Sequence, residues 1–346
     1  MRILYYHDPL GSRFQSLFKE LQMNRFAQII LLFVAILARG TLAFAGEPSK
    51  AAADFPAALT HWKPDAANPL FKGGGPGAWD ERIRERGWIL REGDRWHFWY
   101  TGYNLGQSNL RRLGYATSRD GLHWRRKSSQ PLVADAWIED MQVIKWKGKY
   151  LMVAEGRGDL AHMLTSDDGV HWTGYRQLDV RRMNGEPISD GPYGTPTLYN
   201  ENGRWYLFYE RGDRGVWLAE SKDRKVWVNV QDEPVLRLGP AAYDRYAIAL
   251  NQVIKIDGRY YALYHANADP DWRGDWRMCL AVSDDLVHWQ KCPQNPILEG
   301  DYSSGQLVYD GKVYRLYTPH PELRVFFPSN DQESKPKQQP NPHPDK

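Results

Sequence analysis

Five stretches of the chain alternate apolar and polar residues with a period of two, and each is broken by a turn that carries glycine. They span residues 88–100, 142–154, 197–209, 252–264 and 306–317. Alternation about a short Gly-containing turn predicts a β-hairpin with one buried and one open face. Equivalent positions in the five hairpins are held by Trp96, Tyr150, Trp205, Tyr260 and Val313, about 55 residues apart. That spacing leaves room for two further strands per unit, which is the size of a propeller blade. A second signature follows four of the hairpins: Ser118 to Trp124, Ser166 to Trp172, Ser221 to Trp227 and Ser283 to Trp289, each with Asp two residues after the Ser. Its expected role is structural, the Asp closing a turn and the Trp packing between blades. The expected fold is therefore all-β, a five-bladed β-propeller.

The fifth hairpin lacks its own signature, and the amino-terminal region supplies one. Thr60-His61-Trp62 followed by Asn68-Pro69-Leu70-Phe71 matches His288-Trp289 followed by Asn295-Pro296-Ile297-Leu298. Residues 60–72 are expected to form the outer strand of the last blade. Pairing the two ends of the chain in one sheet closes the ring and removes an exposed edge.

Residues 1–45 read as a leader: a 13-residue apolar run at 26–38, too short to span a bilayer, then small residues at Ala43 and Ala45 before Gly46. Met23 is an alternative start, and export to the periplasm or the outside follows. Residues 46–75 then form an N-terminal segment with the closing strand, 76–327 the propeller, and 328–346 a polar tail expected to be disordered. The leader holds a balance of +3, equal to that of the whole chain. The remainder is thus near neutral, which favours neither nucleic acid nor a membrane as partner. A carbohydrate partner and a monomeric state are expected. Cys279 and Cys292 flank the fourth signature and are either disulfide-bonded or two buried thiols.

In a propeller the innermost strands begin, and the second strands end, around one mouth. Acids concentrate there on the first three blades: Glu85, Glu139, Asp140, Glu155 and Glu210. Crowded carboxylates raise one another's pKa, so that a neutral acid can coexist with an ionised base. Cleavage of a glycosidic bond needs that pair. Glu85, or Asp80 in the loop before it, is the candidate base or nucleophile; Asp140 would tune and orient; Glu210, or Glu139, would be the acid. Gln142, Glu155, Asp190, Tyr193, Gln252 and His265 are candidate substrate contacts. Gln142, Gln252 and Gln306 begin three inner strands and are open to a second reading, hydrogen bonding between blades. The run Arg82, Arg84, Arg86 reads as solvated or salt-bridged. Metal-type His/Cys spacing does not rise above noise, no cofactor is expected, and a calcium or other ion in the channel has no support in the sequence.

The blade pattern, an Asp/Asn-Gly turn and a Tyr-rich run followed by the Ser-x-Asp signature, resembles the five-bladed glycoside hydrolases of families 43 and 32 between Trp62 and Phe327. The resemblance implies three carboxylates on the first three blades. Asp140-Met141 before Gln142 matches the tuning Asp. Gly194 stands where the resemblance expects the acid, in Tyr193-Gly194-Thr195-Pro196, and Glu210 is the replacement candidate. The implied activity is hydrolysis of a poly- or oligosaccharide, with furanosides among the candidates. The alternatives are a glycoside phosphorylase, with Arg86, Arg157 and Arg211 holding phosphate, and a propeller that only binds glycans.

Overall fold

The structure is a computed structural model and describes residues 55–188, 191–298 and 300–329. The leader and residues from 330 onward lie outside the described residues, as does Asp190. Five antiparallel sheets form a ring, as the hairpin period predicts. Blade I consists of Arg82–Glu92, Arg95–Asn104, Ser108–Ser118 and Arg125–Arg126. Blade II runs through Glu139–Trp146, Lys149–Gly156, Leu160–Ser166 and Trp172–Gln177. Blade III is Gly194–Glu201, Arg204–Glu210, Gly215–Ser221 and Val226–Asn229, with Asp179–Arg181 added in parallel at its outer edge. Blade IV is Ala247–Ile256, Arg259–Asn267, Trp276–Ser283 and Trp289–Lys291.

Blade V takes three strands, Gln306–Tyr309, Tyr314–Thr318 and Arg324–Pro328, from the end of the chain and its fourth, Trp62–Pro64, from the start. Trp62 pairs with Pro328 and Pro64 with Phe326. Downstream, the Asn68 amide donates to Val325 O and accepts from Val325 N, both at 2.8 Å, so one side chain extends the ladder past the strand. The expected ring closure is present.

The hydrophobic core is divided among the interfaces. One buried cluster lies between each neighbouring pair of blades, including V and I, where Phe71 and Phe98 meet Tyr317 and Val325. The Ser-x-Asp signature behaves as expected at each corner. In blade I, Ser118 Oγ accepts from the Gly121 amide, Asp120 Oδ1 accepts from those of Leu122 and His123, and Trp124 Nε1 donates to Gly121 O. An aromatic of the preceding blade docks on that turn: Tyr317 donates to Gly121 O and Trp99 to Gly169 O. Cys279 and Cys292 are both buried and free, so the thiol reading holds.

Gln142, Gln252 and Gln306 do not face a ligand. Each reaches the inner strand of the next blade and bonds both backbone groups of one residue: Gln142 to Leu198, Gln252 to Leu307, Gln306 to Ile89. This corrects the substrate-contact expectation for Gln142 and Gln252. An amide at the start of an inner strand matches a backbone donor–acceptor pair as well as it matches a sugar hydroxyl, and here the neighbouring strand is within reach.

Replacing Asn68 by Ala removes two long-range hydrogen bonds and strands the Val325 amide, while Val325 O keeps the Asp65 amide at 3.1 Å, at a cost of about 1–3 kcal/mol. A lowered urea midpoint with unchanged slope is the expected result; an unchanged midpoint would show that this amide contributes nothing to closure.

Candidate active site

The inner strands break register as they leave the mouth. Bulges lie between Arg84 and Trp88, Glu139 and Gln142, Gly194 and Thr197, and Leu250 and Gln252. Glu85, Asp140 and Thr195 occupy the bulges of the first three blades in the left-handed region, with φ of 53°, 46° and 43°. Such conformations cost about 1 kcal/mol or more each and concentrate at functional sites. Each bulge re-aims a side chain that simple alternation would place elsewhere.

The blade I bulge turns Arg86 inward, against the expectation that it is solvated or salt-bridged. It is fully buried. Its guanidinium donates to Leu250 O (3.1 Å), Asn251 O (2.9 Å), Pro196 O (2.6 Å), Thr197 Oγ1 (2.6 Å) and Asp140 O, so a side chain of blade I binds the inner strands of blades II, III and IV. Its own amide donates to Asp140 Oδ1 at 3.1 Å. Burial depresses the guanidinium to about 10, opposed by Asp140 and Glu155, and it stays cationic at neutral pH.

Carboxyl groups crowd above this cation. Burial opposes ionisation of Glu85, but Arg84, His320 and His265 outweigh it and hold the carboxyl below the usual range. Arg84 pairs with Glu85 on one side and with Glu139 on the other, where Nε stands 2.5 Å from Oε1 without hydrogen-bond alignment. Asp140 moves the other way: burial and the Glu85 charge push it well above its ordinary value despite Arg86. Glu139 is raised by burial, Arg84 notwithstanding. Glu155 is raised strongly by burial, then by Asp140, Glu139 and Glu210.

Gly194 explains the missing acid of the third blade. A Cβ there would overlap carboxylate oxygens of both Glu210 and Glu155. The absent side chain is the space in which two glutamates from the second strands of blades II and III converge. Thr195 N donates to Glu155 Oε2 (2.9 Å) and Asp213 N to Glu210 Oε2 (2.6 Å). Burial pushes Glu210 up to about 7, and Asp213 up to about 8 with Glu210 adding to it. On the far side of the mouth, burial lowers His265 to about 4, so it is neutral at physiological pH; its Nδ1 lies 2.9 Å from Asn251 Oδ1. His320 accepts from the Glu85 amide at 3.0 Å. Neither Asp213 nor His320 was singled out from the sequence. Both lie in loops just past the second strand of a blade, and that position was the available signal.

Two candidates stand apart from this cluster. Asp80 is buried and committed to Tyr100 (2.8 Å) and Arg126 (2.7 Å), where it fastens the outer strand of blade I. Tyr193 is buried, with its hydroxyl between Gln177 and Leu178 O, and cannot meet a substrate. Among the described residues no group of His, Cys, Asp or Glu is arranged to hold a metal ion, and no helix is long and apolar enough to cross a membrane.

No family model matches the chain. It is 25% identical over 238 residues to a 1,2-β-oligomannan phosphorylase of Thermoanaerobacter sp., covering 60% of this chain and 75% of that protein. It is 27% identical over 165 residues to a β-1,2-mannobiose phosphorylase of the same organism, covering 41% and 51%. A glycosyl hydrolase from Bacteroides ovatus superposes with a TM-score of 0.66 at 14% identity, over 79% of this chain and 95% of that one. A structure described under the GH130 family of mannoside phosphorylases, which contains glycoside hydrolases that target β-1,2 mannosidic linkages in Candida mannan, superposes with a TM-score of 0.65 at 15% identity, over 80% and 96%. The fold is thus a glycoside hydrolase-like five-bladed propeller, and the named relatives are GH130-type phosphorylases; families 43 and 32 in particular are not singled out.

Raised carboxyls make the folded protein bind protons that the unfolded chain has released. Their contribution to stability is full below about pH 4 and is lost as pH climbs through the folded values near 7 and 8. Chemical denaturation is expected to show stability falling from about pH 5 to about pH 8, with a shallower fall in Glu210→Gln. A flat profile in the parent protein would contradict the crowding described here.

Proposed function

We propose that the protein cleaves a glycosidic bond, with a β-linked mannoside as the substrate class that the relatives suggest. The observation that carries the reading is the placement of Glu85 and Asp140 at one mouth, where Arg84 beside Glu85 draws its carboxyl below the usual range while burial and the Glu85 charge push Asp140 well above it. Titratable groups pushed apart by their surroundings mark the base and the acid. Asp140 is the better acid. Its Oδ1 is fixed by the Arg86 amide, which leaves Oδ2 to carry the proton to the glycosidic oxygen. Glu210 holds its position through the backbone amides of Asp213 and Gly194 and is more confined. Asp140 thereby moves from tuning residue to acid, and Glu210 to a supporting carboxyl.

The acceptor has two readings, each with its own support. The relatives with named activities are phosphorylases, which supports transfer to phosphate. In that case Arg111, against Tyr103 and Trp137, and Arg157, also over the Trp137 ring, are cations that could receive it, Arg84 being paired with Glu85 and Glu139. Arg86 is not available, since its terminal nitrogens are held by four carbonyls and Thr197 Oγ1 and its Nε is buried. The charge of the site supports water instead: a phosphate dianion would enter beside an ionised Glu85, whereas water needs that base.

Single variants Glu85→Gln and Asp140→Asn are expected to lower kcat on β-1,2-mannobiose by about 10²–10⁴, and Glu210→Gln by less. The rate should rise as Glu85 ionises, below the usual carboxylate range, and fall once Asp140 loses its proton, and Asp140→Asn should abolish the alkaline limb. Assays with and without orthophosphate separate glycosyl phosphate from free sugar as the product. Unchanged turnover in both Glu85→Gln and Asp140→Asn would remove the proposal.

A further inference from the structure

We infer that blade IV carries a stacking subsite for a second or third sugar ring of the substrate, built on Trp272. The loop 268–275 joins the second and third strands of this blade. Its counterparts 105–107, 157–159, 211–214 and 319–323 are all shorter. It starts three residues after His265, so it lies beside the mouth that holds Glu85 and Asp140. The edge of His265 meets Trp276 at a centroid distance of 5.0 Å, and Trp276 meets Trp272 at 6.5 Å. Aromatic side chains thus run without a break from the wall of the mouth to an exposed ring.

Trp272 is exposed for an indole. At 44% it is the one tryptophan among the large hydrophobic residues left in solvent within the described residues. Its backbone is left-handed, φ 59°, and it is the only aromatic residue in that region among those described. A bulky side chain adopts this conformation only where its surroundings dictate it, and such outliers point toward function. The loop supplies the constraint. The buried Asn267 side chain accepts from the Asp269 amide (2.7 Å) and donates to Gly274 O (2.9 Å); the Asp269 side chain accepts from the Asp271 amide (2.8 Å), and Trp272 N donates to Asp269 O (3.1 Å). The fold spends these bonds to hold an indole out in water.

The alternative aromatic wall is already covered. Trp137, across the mouth, has Arg111 and Arg157 over its ring, at 5.1 and 5.2 Å. Trp272 meets Trp276 at a steep angle, 63° between the ring planes, and its 44% exposure leaves part of the indole open to solvent. The chemistry that fits is a pyranose ring, whose C–H face lies on an indole while its hydroxyls reach the neighbouring Asp269 and Asp271 or water. The subsite rests on the glycan-cleaving reading and adds to it a preference for chains longer than a disaccharide.

The test compares the parent protein with Trp272→Asn, which removes the ring but tolerates the left-handed backbone, and with Trp272→Phe, which keeps a ring. Kinetics on β-1,2-linked mannobiose and mannotetraose are read beside calorimetric binding of the same sugars. In Trp272→Asn, KM and Kd for the tetraose should rise about tenfold with kcat kept, while the biose changes less than about twofold. Trp272→Phe should recover most of the loss. Equal behaviour of both sugars in Trp272→Asn, or no change in either, would overturn the subsite while leaving cleavage intact. A parent protein that binds the tetraose through Trp272 but turns over no mannoside would keep the subsite and sink the cleavage reading. A parent that neither binds nor cleaves these sugars would remove both.

Discussion

A fully buried guanidinium joins four of the five blades that meet at the mouth. Arg86 has no carboxylate in direct ion-pair contact; its charge is balanced by backbone carbonyls of three other blades and by the more distant fields of Asp140 and Glu155. Burying a cation this way is costly unless its donors find acceptors, and removing one side of such an arrangement typically costs about 3–5 kcal/mol. The same side chain therefore fixes the spacing of the inner strands and sets the electrostatic floor beneath the acids. Position and charge come from one residue.

The outer structure serves that centre. Each blade contributes half of two hydrophobic interfaces, and the amide latches of Gln142, Gln252 and Gln306 extend hydrogen bonding from one inner strand to the next. Thr197 fills the equivalent place in blade III, bonding Leu250 O at 3.1 Å. With the first and last segments paired in blade V, the inner ends have little freedom to separate. Crowded carboxyls repel if ionised together, and only a closed ring resists their moving apart.

The features legible in the sequence were local or repeated. Alternating hairpins, the Ser-x-Asp corner and the match between His61-Trp62 and His288-Trp289 each recur, so one copy interprets another, and the closing strand Trp62–Pro64 followed from that. Glu85, Glu139, Asp140, Glu155, Glu210 and His265 also gather at one mouth, as strand ends in equivalent blades must. What escaped depends on non-repeating geometry. Arg86 sits in an alternating charged run that reads as a solvated face, and the bulge between Arg84 and Trp88 reverses its direction. Gly194 reads as a lost acid because a missing side chain does not say what fills its space. Asp80 and Tyr193 have the chemistry of a site but find partners inside their own blades.

Residue-resolved carboxyl titration by ¹³C NMR tests the central claim most directly, that one mouth holds an ionised and a protonated carboxyl side by side over a buried cation. Glu85 should titrate below the ordinary range, while Asp140 remains protonated well above it. Glu85 and Asp140 ionising together in the ordinary carboxylate range would contradict the account.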